Sequence, residues 1–381
     1  MRIGVVAGEA SGDALGAGLL RSLSDHVIGG VKAEGIVGPM MEAEGAKSLF
    51  PVSDISLIGV DGLISNFQRL VRIRRILYNY YCANPPDIFI GIDLPDFNLG
   101  LEYRLRKAGV RTIHYVSPTV WAWRSWRIRK IKQAVDHMLV LFPFEAEYFR
   151  AHKVPVTFVG HPSADLIPTS TTHQIRETLG LKHAKQIVAL LPGSREREVI
   201  HLGAHFLQAA ALLNESHHGT EFCVAYSSSE IKEIFRRQMN QLSINFPIHE
   251  FSGNSLNVMA ASDAVLLASG TASLEAAMLG KPMVVAYKVS AMSYRIARWV
   301  ATTDFIAMPN NLGAGQVVPE VLQTDVSGMR LAKELGSILA DTERRKQMTK
   351  TLKDLCKELR NNANNVAAIK IVQLHRNWNI S

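Results

Sequence analysis

SDAVLLASGTASLEAAMLGKPMVVAY, residues 262–287, reads as one αβ step. The apolar run Ala264 to Leu267 predicts a strand, Ala268 to Ser273 a turn of small residues, and Leu274 to Leu279 a helix. After Gly280-Lys281-Pro282, Met283 to Tyr287 predicts a second buried strand. Because the turn holds nothing larger than Thr, a ligand can approach the backbone around Ser269, Gly270, Thr271 and Ala272, and the helix behind it adds a partial positive charge. That combination suits a phosphate. Glu275, one turn into the helix, is placed to bond sugar hydroxyls. The pattern suggests a nucleotide-sugar diphosphate held at a strand end; the competing reading is that Ser269 to Ser273 only caps a helix.

The chain has 381 residues, enough for two domains that each bury a core, and 47% hydrophobic residues argue against disorder. Cys82, Cys223 and Cys356 are far apart and form no CxxC pair, which fits reduced thiols in a cytosolic protein. No signal-like segment precedes the first strand and no run of about 18 apolar residues is present, so any membrane contact is expected to be peripheral. A net charge of +8 favours nucleic acid, anionic lipid or phosphorylated substrates without choosing among them. The charge is concentrated: between Glu102 and Asp136 there is no acid, while Arg104, Arg106, Lys107, Arg111, Arg124, Arg127, Arg129, Lys130 and Lys132 all lie there.

Residues 2–7, RIGVVA, predict the first strand, and the turn at 8–13, GEASGD, leads into a helix, the opening unit of a doubly wound α/β domain. The turn is not GxGxxG, so no nicotinamide cofactor is expected, though it can seat an anion or a sugar. Residues 66–81 have helical periodicity, with Leu70, Ile73, Leu77 and Tyr80 on one face, Arg69, Arg72 and Arg75 opposite, and Arg74 as a misfit. Such a helix either packs on a core with solvated arginines or lies on an anionic membrane. Asp87 to Asp93 predicts a strand, and ligands of open parallel sheets bind beyond the strands' carboxyl ends, where Asp93 and Asp96 would stand. Asp93 is the leading candidate for a catalytic carboxylate; Asp96 also suits a helix cap.

In residues 117–127, SPTVWAWRSWR, Trp121, Trp123 and Trp126 interleave with Arg124 and Arg127. The mixture suits base stacking, a sugar site or a lipid headgroup level, or else packed tryptophans beside exposed arginines. His161 follows a further strand and is placed either at a ligand or in satisfied loop bonding. Polar residues 168–173 mark a linker, after which a second nucleotide-binding-like half begins at Gln186. There a strand is followed by Pro192-Gly193-Ser194-Arg195, and Arg195 is placed to bond a pyrophosphate with its forked guanidinium. The loop 302–319 contains Asn310 among Gly and amide residues, a composition that fits a cover over a ligand. No HExxH, Cys/His zinc spacing, Walker loop or GxSxG elbow is present, so neither a structural metal nor a covalent serine mechanism is expected.

GEASGD at 8–13, GIDLPDFN at 91–98, HYVSPTVWAWR at 114–124, GHPSAD at 160–165, LLPGSR at 190–195 and LASGTASLE at 267–275 together resemble the lipid-A-disaccharide synthase family along essentially the whole chain. The resemblance implies a GT-B architecture: two Rossmann-like domains, 1–165 and 166–345, facing across a cleft, with a helical tail 346–381 crossing back to the first. It implies an inverting transfer of 2,3-diacylglucosamine from its UDP conjugate to the 6-hydroxyl of 2,3-diacylglucosamine 1-phosphate. By the same resemblance Asp93 matches the proposed general base, and Glu9 and Ser11 match the active-site loop of the first domain. Ser194, Arg195, Ser269, Gly270, Thr271, Ala272, Glu275 and Asn310 match the UDP-sugar side. Asp96, Trp121, Trp123, Arg124, Trp126 and Arg127 are expected to face the acceptor or lipid. No metal or other cofactor is implied. The implied setting is the inner face of a bacterial inner membrane, with a homodimer allowed and no nucleic acid partner. The family often has Ala-Gly-Arg-Glu where this chain has Gly313-Ala314-Gly315-Gln316, which makes Gln316 a lesser candidate. Two alternatives stand beside this: a UDP-N-acetylglucosamine 2-epimerase of the same fold, and a basic non-enzymatic nucleic-acid-binding protein.

Overall fold

Strand β1 (Arg2–Ala7) is buried from Ile3 onward and sits mid-sheet, where both of its edges must be paired. On one side it pairs in parallel with β2 (Lys32–Val37), and β2 with β3 (Lys47–Pro51). On the other it pairs with β4 (Ile88–Ile92), followed outward by β5 (Thr112–Tyr115), β6 (His137–Val140) and β7 (Val156–Phe158). The strand order therefore reverses between β1 and β4. This is a computed structural model, and it describes residues 1–56, 63–121, 125–290, 294, 304–313 and 315–380.

The chain divides into two compact units, Met1–Asp165 with Glu358–Ser381, and Leu166–Lys357. The second unit repeats the plan of the first. Its central strand β8 (Gln186–Leu191) has β9 (Thr220–Tyr226) and β10 (Ile248–Ser252) on one side, and β11 (Ala264–Ala268), β12 (Met283–Tyr287) and β13 (Glu320–Leu322) on the other, all parallel. β4 and β11 are buried along their whole length, as expected where helices cover both faces of a sheet. The two units are doubly wound α/β folds, and each has its switch point at a central strand: β1/β4 in one and β8/β11 in the other.

The basic helix Leu63–Ala83 packs on a core. Ile73, Leu77 and Tyr81 are buried with Phe89 and Phe97, and Leu70 and Tyr80 lie partly buried against them. Tyr81 meets the Phe89 ring edge-on at 5.5 Å and donates to Glu34 O at 2.8 Å. Arg74, out of phase in the sequence pattern, lies 6.0 Å from the Phe97 ring, and burial beside Arg104 lowers its pKa. It fits because a Cβ at residue 100, which is Gly, would come within 2.3 Å of its guanidinium.

The tail expected to start at 346 divides instead at Lys357. Helix Thr342–Cys356 belongs to the second unit: Met348 and Leu352 are buried, and the Lys353 stem lies over Gly280. Helix Ala363–Ile380 belongs to the first unit, where Asn365 bonds His26 at 2.6 Å and Asp165 accepts from the amides of Asn362 and Ala363 at 3.0 and 2.7 Å. No described helix is long and apolar enough to cross a membrane.

Candidate active-site elements at the two switch points

At the carboxyl end of β1, Gly8 turns the chain and Glu9 caps the helix Ala10–His26 from an extended conformation, leaving Glu9 and Ser11 exposed. The acid that closes the GEASGD motif points the other way. Asp13 is buried and accepts from the amides of Gly38, Met40 and Met41 at 3.0, 2.9 and 3.1 Å, which secures the start of the helix Pro39–Ala43. At the neighbouring end of β4, Asp93 and Leu94 are both left-handed, with φ of 51° and 45°. The two loops touch, since a Cβ at Gly8 would meet the Leu94 side chain at 2.5 Å. Asp93 donates its amide to Tyr115 O at 2.8 Å and accepts at its carbonyl from Asn98 Nδ2 at 2.8 Å. Its half-buried carboxylate has no partner among the described residues.

Of the tryptophan and arginine run, Trp121, Trp126 and Arg127 lie among the described residues and differ in exposure. Trp121 is half-buried, edge-on to Phe144 at 4.8 Å, and donates to Glu145 at 3.3 Å. Trp126 is 63% exposed with Lys130 5.6 Å from its ring, and Trp123 and Arg124 lie outside the described residues. Arg127 and Asp96 do not face outward independently: the Arg127 guanidinium, only 10% exposed, bonds Asp96 at 2.6 Å. The pair ties the start of helix Pro95–Lys107 to the turn Ser125–Arg127. His161 takes the structural role, its Nδ1 accepting from Ser163 N at 3.2 Å while burial lowers its pKa to about 4.

Glu145 is the residue that sequence reasoning missed. It is buried at the start of helix Pro143–Ala151 and accepts from Ser117 Oγ at 2.5 Å, Trp121 Nε1 at 3.3 Å and Phe142 N at 3.2 Å. Burial pushes its carboxyl up to about 7 against the pull of these donors. The only local signal was a Glu three residues past a helix-starting Phe-Pro, the position that reaches back to the cap amide.

In the second unit, the turn after β8 depends on Gly193, whose φ of 129° suits glycine and whose missing Cβ would come 2.6 Å from Glu198 Cβ. Glu198 Oε2 accepts from Ser194 N and Arg195 N at 3.1 and 3.3 Å, which fixes the backbone. The Arg195 side chain stays 78% exposed, 3.9 Å from Glu198. After β11, Ser269 Oγ donates to Ile306 O at 3.3 Å and Ser273 Oγ to Gly270 O at 2.7 Å. Helix Thr271–Met278 thus begins three residues before the predicted start, with the Thr271 and Ala272 amides without partners among the described residues. Glu275 is half-buried with no partner among the described residues for its carboxylate, and burial raises its pKa.

Asn310 is not offered to a ligand. It is fully buried, donates to Val318 O and Glu320 Oε1 at 3.0 and 2.7 Å, and accepts from the amides of Val317 and Val318 at 2.7 and 2.8 Å. Its amide holds the segment 317–320 in place, so its part in any site is indirect.

A family model described as lipid-A-disaccharide synthetase matches residues 3–372. The chain belongs to that family. Lipid-A-disaccharide synthases of Azotobacter vinelandii and Cellvibrio japonicus are 43% identical over 376 residues and 42% identical over 375 residues. Each alignment covers 98% of this chain, and 98% and 97% of the respective relative. As a lipid-A-disaccharide synthase family member the chain is a glycosyltransferase enzyme of lipid A biosynthesis, and neither the epimerase nor the nucleic-acid-binding alternative is favoured. Among solved structures, UDP-GlcNAc 2-epimerase from Neisseria meningitidis bound to UDP-GlcNAc aligns with a TM-score of 0.66 at 13% identity, covering 99% of this chain and 100% of that one. The glycotransferase of kitacinnamycin aligns with a TM-score of 0.62 at 15% identity, covering 97% and 98%. At such identities the likeness speaks for the fold alone, and that fold is GT-B.

Proposed function

We propose that the enzyme transfers a 2,3-diacylglucosamine from its UDP conjugate to the 6-hydroxyl of 2,3-diacylglucosamine 1-phosphate, with inversion, at an anionic membrane surface. The observation that carries this is positional: each candidate loop stands at the carboxyl end of a strand beside a reversal of strand order, Glu9, Ser11 and Asp93 at β1/β4, Arg195 and Ser269 to Glu275 at β8/β11. In this reading the first unit takes the acceptor and the second takes the donor.

The Asp93 carboxylate accepts the proton of the acceptor hydroxyl as its oxygen attacks the anomeric carbon, and the bond from that carbon to the UDP oxygen breaks. The exposed Arg195 guanidinium and the Thr271 and Ala272 amides stabilise the charge that collects on the departing diphosphate. Glu275 binds sugar hydroxyls, for which its half-buried carboxylate, without a partner among the described residues, is suited. The exposed Trp126 beside Lys130 supports a headgroup-level contact.

Incubation with the UDP-diacylglucosamine donor and the monosaccharide phosphate, followed by mass analysis, should give a disaccharide and UDP. An epimerised sugar nucleotide with no disaccharide would overturn the proposal. Glu275→Gln replaces a charged acceptor by a neutral one and should raise donor KM by about tenfold with a smaller change in kcat. Because burial raises the Glu275 pKa, wild-type donor affinity should also weaken as pH falls through that raised value, and the variant should lose this dependence.

A further inference from the structure

Asp93 and Leu94 are consecutive L-residues in the left-handed region, an arrangement that persists only where the surroundings enforce it. Enforcement comes from Asn98. It is fully buried, and its Nδ2 donates to Asp93 O at 2.8 Å and to Ile92 O and Val6 O, both at 3.3 Å. One side-chain amide therefore gathers the ends of β1 and β4, where the two first-unit loops depart, while its own backbone N–H bonds Leu94 O at 3.0 Å. One helical turn on, the buried Glu102 bonds His114 Nδ1 at 2.7 Å. His114 stands beside Gly91 in the β4/β5 register. A Cβ at Gly91 would come within 2.1 Å of Glu102 Oε1 and 3.0 Å of Asn98 Cβ, so amide and carboxylate both lie across that bare Cα. An apolar side chain of equal volume at 98 would fill the space but leave the carbonyls of Val6, Ile92 and Asp93 without this donor. The buried polar cluster is thus better explained by what it holds than by packing.

We infer that Asn98 is a positioning residue for the transfer, holding the Asp93 carboxylate in register through the backbone of its left-handed turn, with the Glu102–His114 pair as the floor beneath it. This rests on the reading of Asp93 as the base. Asn98→Asp keeps the size of the side chain and removes its donors; Asn98→Ser keeps one donor and guards against a variant that fails to fold.

The measurements are kcat, UDP affinity and circular dichroism for each variant in the full chain, alone and combined with Asp93→Asn. In the wild-type background kcat should fall ten- to a hundredfold with UDP affinity unchanged and the spectrum kept, Asn98→Ser losing less than Asn98→Asp. In the Asp93→Asn background the same substitutions should lower the residual rate less than about threefold, because there is no base left to misplace. Equal losses in both backgrounds, or wild-type rates for both Asn98 variants, would overturn the inference while leaving Asp93 as the base. Near-normal turnover by Asp93→Asn alone would remove the base and this inference with it.

Discussion

Asp93→Asn should fold, bind UDP as the parent does, and turn over about 10²- to 10⁴-fold more slowly, the usual contribution of a positioned general base. The variant is informative because so little else changes. Asp93 has a φ of 51°, and Asn tolerates that conformation as readily as Asp, so no backbone strain is added. The carboxylate has no hydrogen bond or ion pair among the described residues that the amide would break. The amide bonds of the turn, to Tyr115 O and from Asn98, involve the main chain and survive the substitution. What the amide cannot do is accept and hold the proton of the attacking hydroxyl. Initial rates with both substrates saturating, beside a UDP titration, separate loss of the base from loss of the donor site, and a rate within a few-fold of wild type would take Asp93 out of the role.

The course of the two sheets could be read in the sequence because strand, small-residue turn and helix are local signals. RIGVVA with its glycine turn, and AVLLA with Ser269 to Ser273, each carry their periodicity and their breakers within about a dozen residues. The carboxyl-end rule pointed to Asp93 and Asp96, the Gly-Ser turn at a helix start to Arg195, and the place one turn into a helix to Glu275, whereas Glu9 came from the family resemblance. What could not be read was which way a polar residue turns when its partner is remote. Asp96 and Arg127 are 31 residues apart, Glu145 and Ser117 are 28 apart, and nothing in either local pattern announces the pair. Asn310 misled for the opposite reason: a loop of glycines and amides looks suited to a ligand, but its amide closes on neighbours seven to ten residues on. The basic helix was ambiguous in sequence, since arginines opposite an apolar face fit membrane and solvent equally; burial of Ile73, Leu77 and Tyr81 decided for the core.

Glu145→Gln should flatten a slope in the stability of the first unit between about pH 4.5 and pH 7. Burial raises the carboxyl from 4.5 to about 7, so the folded chain keeps its proton over a range in which the unfolded chain has lost it. The stabilising contribution is complete below the unfolded value and declines as pH rises through the folded one, after which it is constant. A shift of this size corresponds to about 3 kcal/mol between pH 4 and pH 8. Gln resembles the protonated acid: its oxygen still accepts from Ser117 and Trp121, but its amide faces Phe142 N–H, at a cost of about 1 kcal/mol at every pH. Buried histidines slope the other way, since His137 and His161 are both lowered to about 4 and gain stability for the fold as pH rises. The test is therefore a difference of differences: urea unfolding of parent and variant at both pH values, followed by tryptophan fluorescence. The parent should lose about 3 kcal/mol more than the variant on going from the acid to the alkaline condition, and parallel losses would mean that Glu145 ionises in the folded chain without penalty. Since the same carboxyl anchors Ser117 and Trp121, ionisation at higher pH turns a neutral anchor into a buried charge beside the loop proposed to face the acceptor. A fall in acceptor affinity above about pH 7 in the parent, absent in Glu145→Gln, would link that anchor to binding.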